Sequence, residues 1–442
     1  MKKIKLWCRH ILGILLMAAL CLVLACGCVS SKGAKRVKYD NGLTSIFRND
    51  KNSMAASVAV YVRVGAVDEK PEQAGLSHFL EHLMFKGSKN YPGDELSRRV
   101  ENMGGYINAA TSSEYTMYYI DVQRDGVEEA VKMLADTMQN PLFLSDDADR
   151  ERKVVIEEIQ RYFDNPHAVL SEIFSENLYR KSALRNSVIG SEKVISSVPR
   201  DEIYNYFRTH YVPQKMTVVV SGNFDKSKIE KLVAETFGNF EVRPSPQEPL
   251  LFEEAQPGEA IVKKGKVEVG YMFFGFLGPD ASSDDIFAAD LAMHALGGGK
   301  SSRLYRVLKE EKQLVYSIGS SFQTMKGTGA IFISAVFDPA NYEKVKDEIN
   351  IQIQNMLDNG ISEEELERAN VSMRTAWSFS FEKPFNIGYA YGIWQLMGRP
   401  EIAEEYLSKM NALKTVDAQN FLKKYYSREN TVSAALLPEE KR

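Results

Sequence analysis

The chain has 442 residues, 44% hydrophobic and 26% charged, a balance that excludes a disordered or fibrous protein. Its length exceeds what one core usually supports, so two domains are expected. The formal net charge of −4 carries no basic excess, which argues against nucleic acid as a partner.

All the cysteines (Cys8, Cys21, Cys26 and Cys28) lie in the first 28 residues. No disulfide can staple the body, and zinc bound there would have nitrogen and oxygen ligands only. Residues 1–28 read as a targeting segment. Lys2, Lys3, Lys5 and Arg9 precede an apolar run over 11–25 that is short for a membrane span. The run ends Leu22-Val23-Leu24-Ala25-Cys26, which resembles the lipobox of bacterial lipoproteins and makes Cys26 the expected lipidation site. Cys28 after Gly27 is the alternative, and a plain signal peptide or an uncleaved anchor are the other readings. Each exports the body. The expected location is a lipid-anchored protein on the membrane, facing the periplasm or the cell exterior.

The body opens with a strand pair over 37–49, turned at Asn41-Gly42. A strand follows over 55–64, then helices over 75–85 and 94–102. Residues 106–111 and 115–122 read as paired strands, and 127–139 and 145–163 as helices. The last of these begins Ser145-Asp146-Asp147, which predicts an N-cap with an acidic first turn. A strand over 216–221 closes the first half. Pro244, Pro246, Pro249 and Pro257 among acidic residues mark 241–259 as a linker. Beyond it the pattern repeats: a strand over 267–277, helices over 286–296 and 302–311, strands over 315–324 and 329–336, and a long helix from Ser362. Its Glu367-Arg368 falls where Glu151-Arg152 falls before. A long-period duplication is the simplest reading. It predicts an α+β fold of two homologous domains, 34–240 and 260–442, each an antiparallel sheet with helices packed on one face.

Within the helix over 75–85 stands His78-Phe79-Leu80-Glu81-His82. Two histidines four apart share one face one turn apart, so both imidazoles can reach one cation. Glu81 lies beside that face and can hold a water. The bland alternative is a surface helix with two solvated histidines. The rest of this helix is apolar (Leu76, Phe79, Leu80, Leu83, Met84, Phe85), so it should be buried, and buried histidines need partners. Catalytic zinc usually takes three protein ligands. The helix over 145–163 offers Glu151, Glu157 and Glu158. Glu151 and Glu158 share a face, with Val154 and Val155 between them suggesting that it points inward, and Glu157 can pair with Arg161 at the surface. Spacing alone leaves surface salt bridging open for Glu151 and Glu158.

H-F-L-E-H with the downstream E-R-x-x-V-x-x-E-E resembles the inverzincin zinc peptidases, the family of pitrilysin, insulin-degrading enzyme and mitochondrial processing peptidase. The likeness covers nearly all the chain after the signal and is to the half-size members. It implies a zinc metalloendopeptidase with one Zn2+ per chain, acting on extended or unfolded peptides in an enclosed chamber. Carried over residue by residue, it makes His78, His82 and Glu158 the metal ligands, Glu81 the catalytic base, and Glu151 a supporting residue behind them. Gly104-Gly105-Tyr106-Ile107-Asn108-Ala109-Ala110-Thr111 matches the family's substrate-edge strand, which assigns substrate contact to Asn108 and Ala109. A distal Arg/Tyr pair of the family falls on Lys309 and Tyr316. Lys309 departs from the usual arginine and lacks its planar fork; a solvated Lys309 and a core Tyr316 are the alternative. In the second half, Asp290-x-x-Met293-His294 and Arg374 stand where the metal motif and its distal ligand would stand, which implies an inactive repeat. His294 is then a core or helix-end histidine. The likeness also implies a second subunit, an identical copy or a non-catalytic relative. A non-hydrolytic peptide-binding or assembly subunit is the other function considered, and it would require a degraded motif in the first half.

Overall fold

The computed structural model describes residues 33–246 and 250–439. The targeting segment, with Cys26 and Cys28, lies outside the described residues. Among the described residues no helix is long and apolar enough to cross a membrane.

Strands β3 (Ala56–Val62) and β6 (Met216–Gly222) are buried at every position. They read as near-continuous runs of small and β-branched residues because both of their faces are covered. With β1 (Lys35–Lys38), β2 (Thr44–Asn49), β4 (Tyr106–Thr111) and β5 (Thr116–Val122) they build a sheet in the order β1-β2-β6-β3-β5-β4. Strand β2 runs parallel to β6, while β6, β3, β5 and β4 are antiparallel. The helices of this half are α1 (Leu76–Met84), α2 (Glu95–Asn102), α3 (Val127–Gln139), α4 (Ser145–Phe163), α5 (Pro166–Leu178), α6 (Glu192–Ser197), α7 (Arg200–His210) and α8 (Lys226–Thr236).

The second sheet uses β7 (Ala260–Gly265), β8 (Gly270–Gly278), β9 (Val315–Gln323), β10 (Gly329–Phe337) and β11 (Val432–Pro438), in the order β7-β11-β8-β10-β9. Apart from β1, the two orders match strand for strand, and β7 beside β11 repeats the single parallel pair. Both sheets are thus mixed, antiparallel except for the parallel pairs β2–β6 and β7–β11. The duplication read from the sequence is a duplication of topology. The helices here are α9 (Asp285–Gly297), α10 (Tyr342–Asn359), α11 (Glu363–Ser380), α12 (Pro384–Leu396), α13 (Ile402–Asn411) and α14 (Thr415–Tyr425). The segment Tyr305–Glu311, expected as an ordinary helix, is wound as a π-helix.

Each sheet packs its own helices on one face and borrows a helix for the other. Helix α12 from the second half lies on β3 and β6. Gly388 and Gly392 allow the close approach: a Cβ at Gly392 would sit 2.4 Å from the Tyr61 ring, and one at Gly388 would sit 2.8 Å from Ser221 Oγ. Helix α5 from the first half lies on β8 and β11, where Phe174 meets the Phe273 and Phe332 rings at 6.3 and 5.6 Å. The exchange helps bind residues 36–442 into one compact unit.

The predicted cap of α4 shifts by one residue. Leu144 occupies the N-cap position and Ser145 lies inside the first turn, with no side-chain cap bond. Between Glu151 and Glu158, Val155 is fully buried but Val154 is 39% exposed, so only part of that face points inward.

Candidate metal centre

Helix α1 starts on Gly75, whose φ of +96° lies in the left-handed region. The first-turn amides of Gly75 and Ser77 donate to the Glu69 carboxylate at 2.7 and 2.6 Å. An acidic group there satisfies orphan donors and the helix dipole together. Burial pushes the Glu69 carboxyl up to about 7, against those two amides. Leu76, Phe79, Leu80, Leu83 and Met84 bury one side of α1. That leaves His78, Glu81 and His82 on the side facing α4. Helix α4 is fixed by Arg152, whose guanidinium lies over the Phe79 ring and donates to the carbonyls of Ile195 and Val198.

This packing brings the three predicted donors together. His78 Nε2 and His82 Nε2 lie 3.6 and 3.4 Å from the same oxygen, Glu158 Oε2. All three donor atoms fall within 4.8 Å of one another. Four donors held tetrahedrally about 2.1 Å from one zinc ion sit roughly 3.4 Å apart, so this set fits the ion. Burial, and secondarily His82, lowers the His78 pKa to about 4. His78 is therefore neutral near pH 7 and offers a lone pair.

Glu151 stands behind the group. Its Oε2 lies 3.3 Å from His82 Nδ1, and its Oε1 pairs with Lys86 Nζ at 2.8 Å. Glu81 is not one of the three donors. The Thr111 hydroxyl donates to its Oε2 at 2.5 Å. Burial raises the Glu81 pKa, and the Thr111 bond partly opposes that rise. Glu157 and Arg161 are both 71% exposed and 3.9 Å apart, a surface pair.

Thr111 ends β4, the outer strand of its sheet. Side chains alternate along a strand, so Ala109 and Ile107 share the Thr111 face toward α1, while Asn108 and Tyr106 face away. Ala109 is buried and Asn108 exposed. The Asn108 carboxamide curls along the edge: its Oδ1 accepts the Ala109 amide and its Nδ2 donates to the Tyr106 hydroxyl, both at 2.9 Å. Lys309 Nζ sits over the Tyr305 ring at 5.0 Å, and Tyr316 on β9 is 56% exposed rather than core. Among the described residues, neither makes a hydrogen bond or ion pair with the three donors.

Sequence reasoning passes over Glu69, Thr111 and Lys86. Thr111 closes the strand motif already noted, two residues after Ala109 and therefore on its face. Lys86 follows His82 by one helical turn.

The repeat in the second half has different chemistry. His294 sits in the last turn of α9 with its pKa lowered by burial, and Arg374 is exposed. Asp290 is half-buried, its carboxylate accepts from the Tyr406 hydroxyl at 2.7 Å, and desolvation raises its carboxyl to about 7. Between its ordinary value of 3.8 and about 7, the folded chain holds a proton there that the unfolded chain has lost. This contribution to stability is complete below that window and is lost as pH rises through it. Asp290→Asn keeps an acceptor for Tyr406 and removes the titration. Urea unfolding at pH 5 and pH 8 should show the variant gaining on wild type at the higher pH, by on the order of 3 kcal/mol.

Two family models match the chain. The model described as Insulinase (Peptidase family M16) matches residues 45–192, and the one described as Peptidase M16 inactive domain matches residues 197–370. The chain belongs to peptidase family M16. A Mycobacterium leprae protein named as an uncharacterized zinc protease is 31% identical, over 78% of this chain and 78% of its own. The zinc protease YmxG of Bacillus subtilis, also named as uncharacterized, is 28% identical over 86% of this chain and 92% of its own. Among solved structures, a protease from Helicobacter pylori superposes with a TM-score of 0.87 at 22% identity, covering 92% of this chain and all of that one. This M16 chain therefore has the family's fold, and its relatives are named zinc proteases.

Proposed function

We propose that this M16 chain is a zinc endopeptidase that cleaves extended peptides, with His78, His82 and Glu158 as ligands and Glu81 as base. The observation that carries the reading is the convergence of two imidazole nitrogens on one carboxylate oxygen, at separations suited to tetrahedral coordination, with the Glu81 carboxylate near them and outside the donor set. When bound, zinc supplies Lewis acidity toward the scissile carbonyl and the attacking water. The protein residues supply the rest. Glu81 keeps Oε2 on the Thr111 hydroxyl, which fixes the carboxylate plane and leaves Oε1 to take a proton from the attacking water. The same oxygen then delivers that proton to the leaving amine nitrogen. Ala109 and Asn108 offer the outer edge of β4 to a substrate added as a strand, which selects unfolded chains. Asn108 must leave the Ala109 amide for that strand to pair fully.

A second subunit, identical or a non-catalytic relative, completes the chamber in this proposal, and a lipid at Cys26 holds the exported body at the membrane. The reading is tested with an unstructured peptide of about 30 residues. Cleavage should stop in a chelator and return when one equivalent of zinc per chain is restored. Cleavage that persists in the zinc-free protein would overturn the reading.

A further inference from the structure

We infer that Lys86 is a positioning residue for the metal centre, holding Glu151 against His82 and so tightening zinc binding without touching the ion. The inference rests on the reading above that His78, His82 and Glu158 hold zinc. The two imidazoles are not equivalent in this structure. His82 has a partner on its far nitrogen, Glu151 Oε2 at 3.3 Å, whereas buried His78 Nδ1 has no hydrogen-bond partner. The orientation of His82 therefore depends on Glu151. Outer carboxylates of this kind fix the tautomer and ring angle of a ligand histidine.

Glu151 in turn depends on Lys86. Its second oxygen, Oε1, pairs with Lys86 Nζ at 2.8 Å, and the glutamate side chain is only 12% exposed. A nearly buried carboxylate needs a cation to hold it. Among the described residues, Lys86 is the one lysine or arginine ion-paired to Glu81, Glu151 or Glu158.

The backbone delivers Lys86 to this place. Its amide donates to Leu83 O at 3.0 Å as the chain leaves α1. The loop that follows is tied down by the buried Asp136 carboxylate, which accepts from Ser88 Oγ at 2.6 Å and from the Asn90 amide at 2.8 Å. The ammonium thus starts from a fixed point, and its stem is half-buried.

Two effects oppose one another. A positive charge near a dication repels it, while an oriented His82 and an anionic Glu151 favour it. Nζ contacts the Glu151 oxygen that does not face His82, so the carboxylate stands between the charges and orientation should win. Lys86→Met should therefore weaken zinc binding by about 10- to 100-fold, the usual cost of losing an outer partner. Lys86→Arg should restore affinity to within a few-fold of wild type. In a Glu151→Gln background, Lys86→Met should have almost no further effect.

The experiment is competition between the full chain and a chromophoric chelator for zinc, with the apo Tm of every variant recorded. A merely structural role would lower the apo Tm and leave the zinc dissociation constant unchanged. Lys86→Met binding zinc as tightly as wild type, or more tightly, overturns the inference alone. A wild-type chain that binds no zinc, or a His82→Ala variant that binds it undiminished, instead overturns the underlying metal reading.

Discussion

Glu81→Gln should lower kcat for peptide cleavage by roughly 10²- to 10⁴-fold, the range typical of losing a positioned general base. Zinc content should not change, because Glu81 is not among the three converging donors. Structure should be kept as well. Glutamine still offers an oxygen to the Thr111 hydroxyl, which donates to Glu81 Oε2 at 2.5 Å. What is lost is an oxygen able to take a proton from water. KM should move little, since the substrate strand is held at β4. Steady-state kinetics beside metal analysis would check this. A variant that keeps full kcat would remove Glu81 from the chemistry, and one that loses its zinc would make it a ligand.

The second large effect belongs to Glu158. Both His78 Nε2 and His82 Nε2 face its Oε2 at 3.6 and 3.4 Å, so it is the anionic corner of the group. Glu158→Ala leaves two imidazoles and no carboxylate to hold a dication. The loss of zinc affinity should exceed the ~100-fold typical of removing an outer partner, and cleavage should vanish with the metal. Stability should hardly change, because the side chain is 37% exposed, and substitutions at such sites usually stay within about 0.5 kcal/mol. Metal content after gel filtration, with a melting curve, would read both. Full zinc occupancy in this variant would exclude Glu158 as a ligand.

Much of this site is legible in the amino-acid sequence, and the reason is local. Residues four apart on a helix must share a face, so His78 and His82 pair from spacing alone. The duplication is legible for a similar reason, since helix and strand periods recur in the same order. Glu158 is less legible: spacing separates it from Glu157 but not from Glu151, and only the resemblance assigns their roles. Thr111 and Lys86 escape sequence reasoning because each owes its place to a tertiary contact, one with Glu81 and one with Glu151.

The exchange of α5 and α12 is beyond sequence reading altogether. Both helices are largely apolar, which tells that they are buried but not which sheet receives them. The glycines that let α12 touch Tyr61 and Ser221 carry no signal until the sheet lies beneath them. Strand β7, just past the linker, escapes for a different reason. It is a parallel edge strand whose lysines keep the edge soluble, so it shows little apolar alternation.

The most direct test of a zinc endopeptidase here is a mass-spectrometric digest of a long unstructured peptide by zinc-loaded wild type and zinc-loaded Glu81→Gln. Internal cleavages in the first and intact peptide in the second are the predicted result. Equal fragment patterns from both, or trimming only from the peptide ends, would contradict it.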